Sequence, residues 1–103
     1  MAQIEILSEE VAENGWRFQL QVLDDAGGLR RYAVSLAWVD YNHWSPDGAD
    51  APAAVAEAAL RCLLDCAAPS MEVPERFDAS VVRRMVPDAD AEIVRRITGS
   101  GMG

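Results

Sequence analysis

The sequence contains no lysine. Its nine basic side chains are all arginine, set against seventeen acids, and the formal charge is −8. Proteins hold nucleic acid and anionic lipid through positive charge, so this balance argues against both as principal partners. Cysteine is scarce as well: two thiols are too few for a disulfide framework, and 103 residues can build a core without one. Cys62 and Cys66, one helical turn apart, stand too far from each other to bond. A closed zinc site needs four ligands, and the single histidine, His43, brings the soft donors only to three unless Asp40 or Asp65 joins them. No metal and no cofactor is therefore expected. No apolar run approaches the roughly 20 residues that span a bilayer. Met1-Ala2-Gln3-Ile4-Glu5 has neither a basic nor an apolar leader stretch, so no Sec signal is expected. The reading is a reduced, cytoplasmic protein without a membrane partner.

Half of the residues are apolar and a quarter charged, the balance of a chain that folds. Trp16-Arg17-Phe18-Gln19-Leu20-Gln21-Val22 alternates strictly, and a strand turns successive side chains to opposite faces. Tyr32 to Trp38 repeats the pattern with Tyr32, Val34, Leu36 and Trp38 on one side. Between the two runs, Asp24-Asp25-Ala26-Gly27-Gly28 supplies hairpin chemistry. A shorter strand, Gln3 to Leu7, precedes them. A tight turn at Asn14-Gly15 would put Ile4 and Ile6 on the wrong face, so a looser loop over Ser8 to Gly15 is expected instead.

After Asp40 the alternation stops, and Ser45-Pro46-Asp47-Gly48 reads as a turn. Pro52 to Ala67 reads as one long helix, with proline in its first turn and a single charged stripe of Glu57, Arg61 and Asp65. So wide an apolar arc needs cover on more than one side, and Cys62 and Cys66 lie on it as core thiols. Phe77 is the apolar anchor of the following connector. Asp78 can cap a short helix, Ala79 to Met85, that exposes Arg83 and Arg84. A last helix starts after Pro87-Asp88, with Asp88, Asp90 and Glu92 in its first turn, Arg95 and Arg96 in its last, and Gly99 as its stop. The expected architecture is α+β: a three-stranded antiparallel meander packed on one long helix, then two short C-terminal helices. The domain covers residues 1–98, and 99–103 form a flexible tail.

Three stretches carry a resemblance. They are Leu60-Arg61-Cys62-Leu63-Leu64-Asp65, Arg76-Phe77-Asp78, and Met85-Val86-Pro87-Asp88 with Glu92-Ile93. In these the C-terminal half resembles a group of short uncharacterised bacterial proteins with a strand meander, a helix ending near an acid, a Phe-Asp connector and a proline-started final helix. The resemblance implies a fold and brings no activity, cofactor or partner.

Asp40-Tyr41-Asn42-His43-Trp44-Ser45 gathers an acid, the histidine and a hydroxyl just after a strand. Nucleophilic catalysis needs such groups to converge on one point near oxyanion donors. Residues so close in sequence rarely do, and no glycine-rich elbow surrounds Ser45. No catalytic residue is assigned; Asp40, Tyr41, His43 and Trp44 are candidates for contact with a ligand or partner. Asp88 to Glu92 lacks the glycine and terminal glutamate of a calcium loop. Acids at the start of the last helix would face phosphates if it entered a DNA groove. Charge is uneven, with ten acids against three arginines in residues 1–60 and seven against six in the remainder. The expected function is a small non-catalytic protein-interaction module with an acidic sheet half, binding a protein partner or a second copy of itself as a homodimer. The alternative is a small ligand-binding protein or enzyme with its site between Asp40–Trp44 and the long helix.

Overall fold

The computed structural model describes residues 3–66 and 73–101, with side chains through Ile97. Strands β1 (Gln3–Ala12), β2 (Gly15–Leu23) and β3 (Leu29–Ala37) form an antiparallel meander. Helices α1 (Trp38–Trp44) and α2 (Pro52–Cys66) follow, then β4 (Arg76–Asp78), a 3₁₀ turn at Ala79–Val81, α3 (Val82–Met85) and α4 (Ala89–Gly101). The fold is α+β, but the sheet has four strands, in the order β1-β2-β3-β4. The fourth corrects the three-stranded expectation: β4 runs parallel to β3, pairing Val34 with Phe77. Parallel neighbours need a long crossover, here supplied by α1 and α2. Three residues are too few to show alternation, so the sequence displays Phe77 only as an isolated anchor.

Trp16, Phe18, Leu20, Val22, Tyr32, Val34 and Leu36 are all buried on one side of the sheet. They join Val55, Ala59, Leu60, Cys62 and Leu63 of α2 and Ile93 and Ile97 of α4 in one core. Complete burial of Val55, Leu60 and Leu63 contributes roughly 5–9 kcal/mol before ordering costs. The long helix is the central lid, as its alanine and leucine content requires.

The β1–β2 connection is tight, not loose: Ala12 pairs with Gly15. A bulge between Ile6 and Ser8 shifts the register by one residue, so that Ile4 faces Val22 and Ile6 faces Leu20. The extra residue lets a tight turn and two inward isoleucines coexist. In the β2–β3 hairpin, the Asp24 carboxylate accepts from the backbone of Ala26 at 2.9 Å and Gly28 at 2.7 Å, and Gly27 adopts φ 88°. That positive φ is the reason glycine stands there.

One local expectation holds and two change at the C-terminal end. Asp78 does cap the 3₁₀ turn, accepting from Ser80 N–H at 3.1 Å. Arg83, however, is not a solvated side chain; it lies 4.7 Å over the Trp44 ring. Helix α4 continues through Gly99 to Gly101, so Arg95 and Arg96 sit within it rather than at its end. Both bond the Glu92 carboxylate from the third and fourth positions onward, a pairing that favours continued helix. Ala67, the expected last residue of the long helix, and the tail residues Met102 and Gly103 lie outside the described residues.

Candidate functional site

Trp38 was expected to end the aromatic face of the sheet, with no helix before Pro52. Instead the chain leaves the sheet at Trp38, whose N–H donates to the Asn14 carbonyl at 2.8 Å, and winds into α1. Its inward side carries Asp40, Tyr41 and Trp44, all buried. The Tyr41 hydroxyl donates to the Asp50 carbonyl, and Ser45 Oγ donates to Asp50 Oδ2 at 2.8 Å. These bonds fold the 45–50 loop back against the helix.

Asp40, His43 and Trp44 reach one polar cluster, completed by two residues that the sequence did not mark as a site. Arg83 donates through Nη1 to Asp40 Oδ1 and through Nε to Asp90 Oδ1, each at 2.7 Å. Trp44 Nε1 donates to the same Asp90 oxygen at 2.8 Å, and His43 Nε2 lies 3.5 Å from Asp90 Oδ2. Desolvation pushes the Asp90 carboxyl up, but the bonds from Trp44 and Arg83 outweigh it and hold the group below the usual aspartate range. Burial opposes the Arg83 charge, and its two carboxylate partners outweigh that as well. The cluster ties α1 to α3 and α4. No local signal could have found it, because Arg83 stands 43 positions from Asp40 and Asp90 stands 46 from Trp44.

Cys62 is fully buried, and desolvation first, then neighbouring Cys66, push its thiol up to about 12. Cys66 is only partly buried, and Arg96 Nη2 lies 3.5 Å from its sulfur. Among the described residues no group of three acid, histidine or cysteine side chains is arranged to hold a metal ion. Surface concavities of about 410, 240 and 500 Å³ lie along the open face and edges of the sheet. Their linings include none of Asp40, Tyr41, His43, Trp44, Cys62 and Cys66. The 410 Å³ concavity follows from β3, whose outward Ala33 and Ser35 leave a trough between Arg17 and Arg76.

The outward flank of α1 is different in kind. Trp38 is half-exposed and stacks at 4.5 Å on Trp16, with Tyr41 edge-on at 6.2 Å. Val39 beside it is 73% exposed, and Val11, opposite Trp16 on β1, is 78% exposed. An indole held against a rigid aromatic base, with bare valines beside it, is the composition of a protein-binding anchor rather than of a solvated surface. No family model, curated protein or solved structure matches the chain.

Proposed function

We propose that this protein is a non-catalytic protein-interaction module whose docking surface is the apolar flank of α1 together with the end of β1. The observation that carries the reading is the exposure of Val11, Trp38 and Val39 around the buried Trp16. Large apolar side chains left in water at the rim of a packed aromatic cluster gain free energy when a partner covers them, and tryptophan dominates such contacts. The polar residues of α1 support it too. Asp40 and Trp44 are committed to Arg83 and Asp90, and His43 has Asp90 beside it at 3.5 Å while the neighbouring Ser45 hydroxyl is bonded to Asp50, so acid, imidazole and hydroxyl do not converge on one point. A ligand pocket between this segment and α2 would have to open where Tyr41 and Trp44 are packed in the core. Two free thiols fit a reduced cytoplasm, and no described helix is long and apolar enough to cross a membrane.

A photo-crosslinking residue at Val39 tests the reading in the source cell. A discrete adduct from position 39, absent from a probe at exposed Asp47 and lost when Trp38→Ala is added, supports it. Equal labelling from both positions removes it.

A further inference from the structure

Resting on that docking surface, we infer that the partner presents a basic, extended segment that adds to β1 as a fifth strand. Strand β1 pairs only with β2, so its other edge carries main-chain donors and acceptors with no strand beside them among the described residues. Glu5, Glu9, Glu10 and Glu13 are exposed and have no ion pair or side-chain hydrogen bond among the described residues, so β1, on its two faces, and the adjoining turn carry four unpaired carboxylates.

The register sets what an added strand must carry. Ile4, Ile6, Glu9 and Val11 share the inner face with Val22, Leu20, Phe18 and Trp16. Glu5, Ser8 and Glu10 point to the outer face with Gln21, Gln19 and Arg17. An antiparallel newcomer places an apolar side chain opposite Val11, which itself faces Trp16. Basic side chains then fall opposite Glu10 and Glu9, and apolar ones opposite Ile6 and Ile4. Cross-strand pairs of these kinds are each favourable.

A second copy of this chain does not fit the edge. Full antiparallel overlap of two β1 strands sets Glu5 opposite Glu10 twice, and directly opposed like charges are repulsive.

The capped peptide Val-Lys-Lys-Thr-Val-Lys-Val-Thr, written to that register, is the probe. It is titrated into the full chain and followed by amide and indole chemical shifts. Saturable shifts at β1 and at the Trp16 indole, which faces Val11, are expected, with about tenfold weaker binding to Glu9→Gln/Glu10→Gln, whose substitutions are exposed and spare the core. The same peptide with glutamate for lysine should not bind. N-methylation of alternate peptide nitrogens should abolish binding while leaving every charge in place. Binding that survives N-methylation, shifts that map away from β1, or no binding at all overturns the inference. Should the peptide fail while the Val39 crosslink stays specific, the interaction module stands and strand addition falls. Should both fail, the docking surface itself is wrong.

Discussion

Arg83 Nη1 donates to Asp40 Oδ1 across 2.7 Å, from a guanidinium one-third exposed to a carboxylate that is almost wholly buried. The pair fastens α3 to α1, and the guanidinium plane caps the Trp44 ring. Breaking such a pair from one side leaves a charge in a poorly solvated place, which costs more than the pair itself contributes. Arg83→Met should therefore lower stability by about 2–4 kcal/mol. Adding Asp40→Asn should recover part of the loss, because the stranded charge is gone. Urea midpoints of the two variants check this, and a midpoint for Arg83→Met equal to that of the parent would refute it.

Asp78 predicts an acid-sensitive component of stability. Burial pushes its carboxyl up, but bonds from Ser35 Oγ at 2.7 Å and from Ser80 Oγ and N–H outweigh it, so the net shift is down from 3.8. A carboxyl more acidic folded than unfolded adds stability above its unfolded value and loses it as pH falls through the folded one. Urea midpoints taken from about pH 6 to about pH 2 should fall at the acid end, and less steeply in Asp78→Asn. Identical pH profiles for the two proteins would contradict the assignment.

Gly15 opens β2 where β3 passes close. An added Cβ would fall well inside contact distance of the Leu36 carbonyl oxygen and 2.9 Å from Ala37 Cα, both backbone atoms that cannot swing aside. Gly15→Ala should destabilise by about 2–3 kcal/mol, read as a lower urea midpoint at unchanged slope.

Leu7 is the bulged residue, and Ile6–Leu20 and Ser8–Gln19 flank it as successive pairs. Deleting Leu7 would join those pairs into an unbroken ladder and preserve every inward side chain. The variant should fold with a stability close to the parent's, yet show concentration-dependent association by light scattering, since a flat edge pairs more readily. A variant that unfolds would show instead that the bulge is required for the register.

The two thiols should differ in the native state. Cys62, fully buried with its thiol pushed up to about 12, should resist iodoacetamide at pH 8, whereas partly exposed Cys66 is alkylated. Peptide mass spectrometry before and after unfolding separates the two, and equal native rates would show that α2 opens far more readily than its packing implies.

The acidic edge and the exposed indole differ in how they could be read. Glu5, Glu9 and Glu10 are visible in any copy of the sequence, as is the surplus of acid in the first sixty residues. Trp38 was misread because its spacing from Leu36 continues the strand period, while its contact with Trp16 depends on where α1 starts. The Asp40–Trp44 segment was noticed for its residue types; that most of it serves to hold α3 and α4 follows from Arg83 and Asp90, which alone look like a solvated arginine and a helix-start acid.

Sequence by itself determined the β2–β3 hairpin, the inward set on β2 and β3, the long helix from Pro52 and the cap at Asp78. Each of these is a repeat, or a turn preference, acting over a few neighbouring residues. Tertiary structure alone decided the β1 bulge, the parallel pairing of β4 and the Asp40–Arg83–Asp90 cluster, because each depends on chain segments far apart in sequence arriving at one place. It also decided which apolar side chains stayed in water. Local patterning makes a residue fit for burial, but only the number and position of covering elements settles whether it is buried, and among the described residues Val11, Trp38 and Val39 stay exposed.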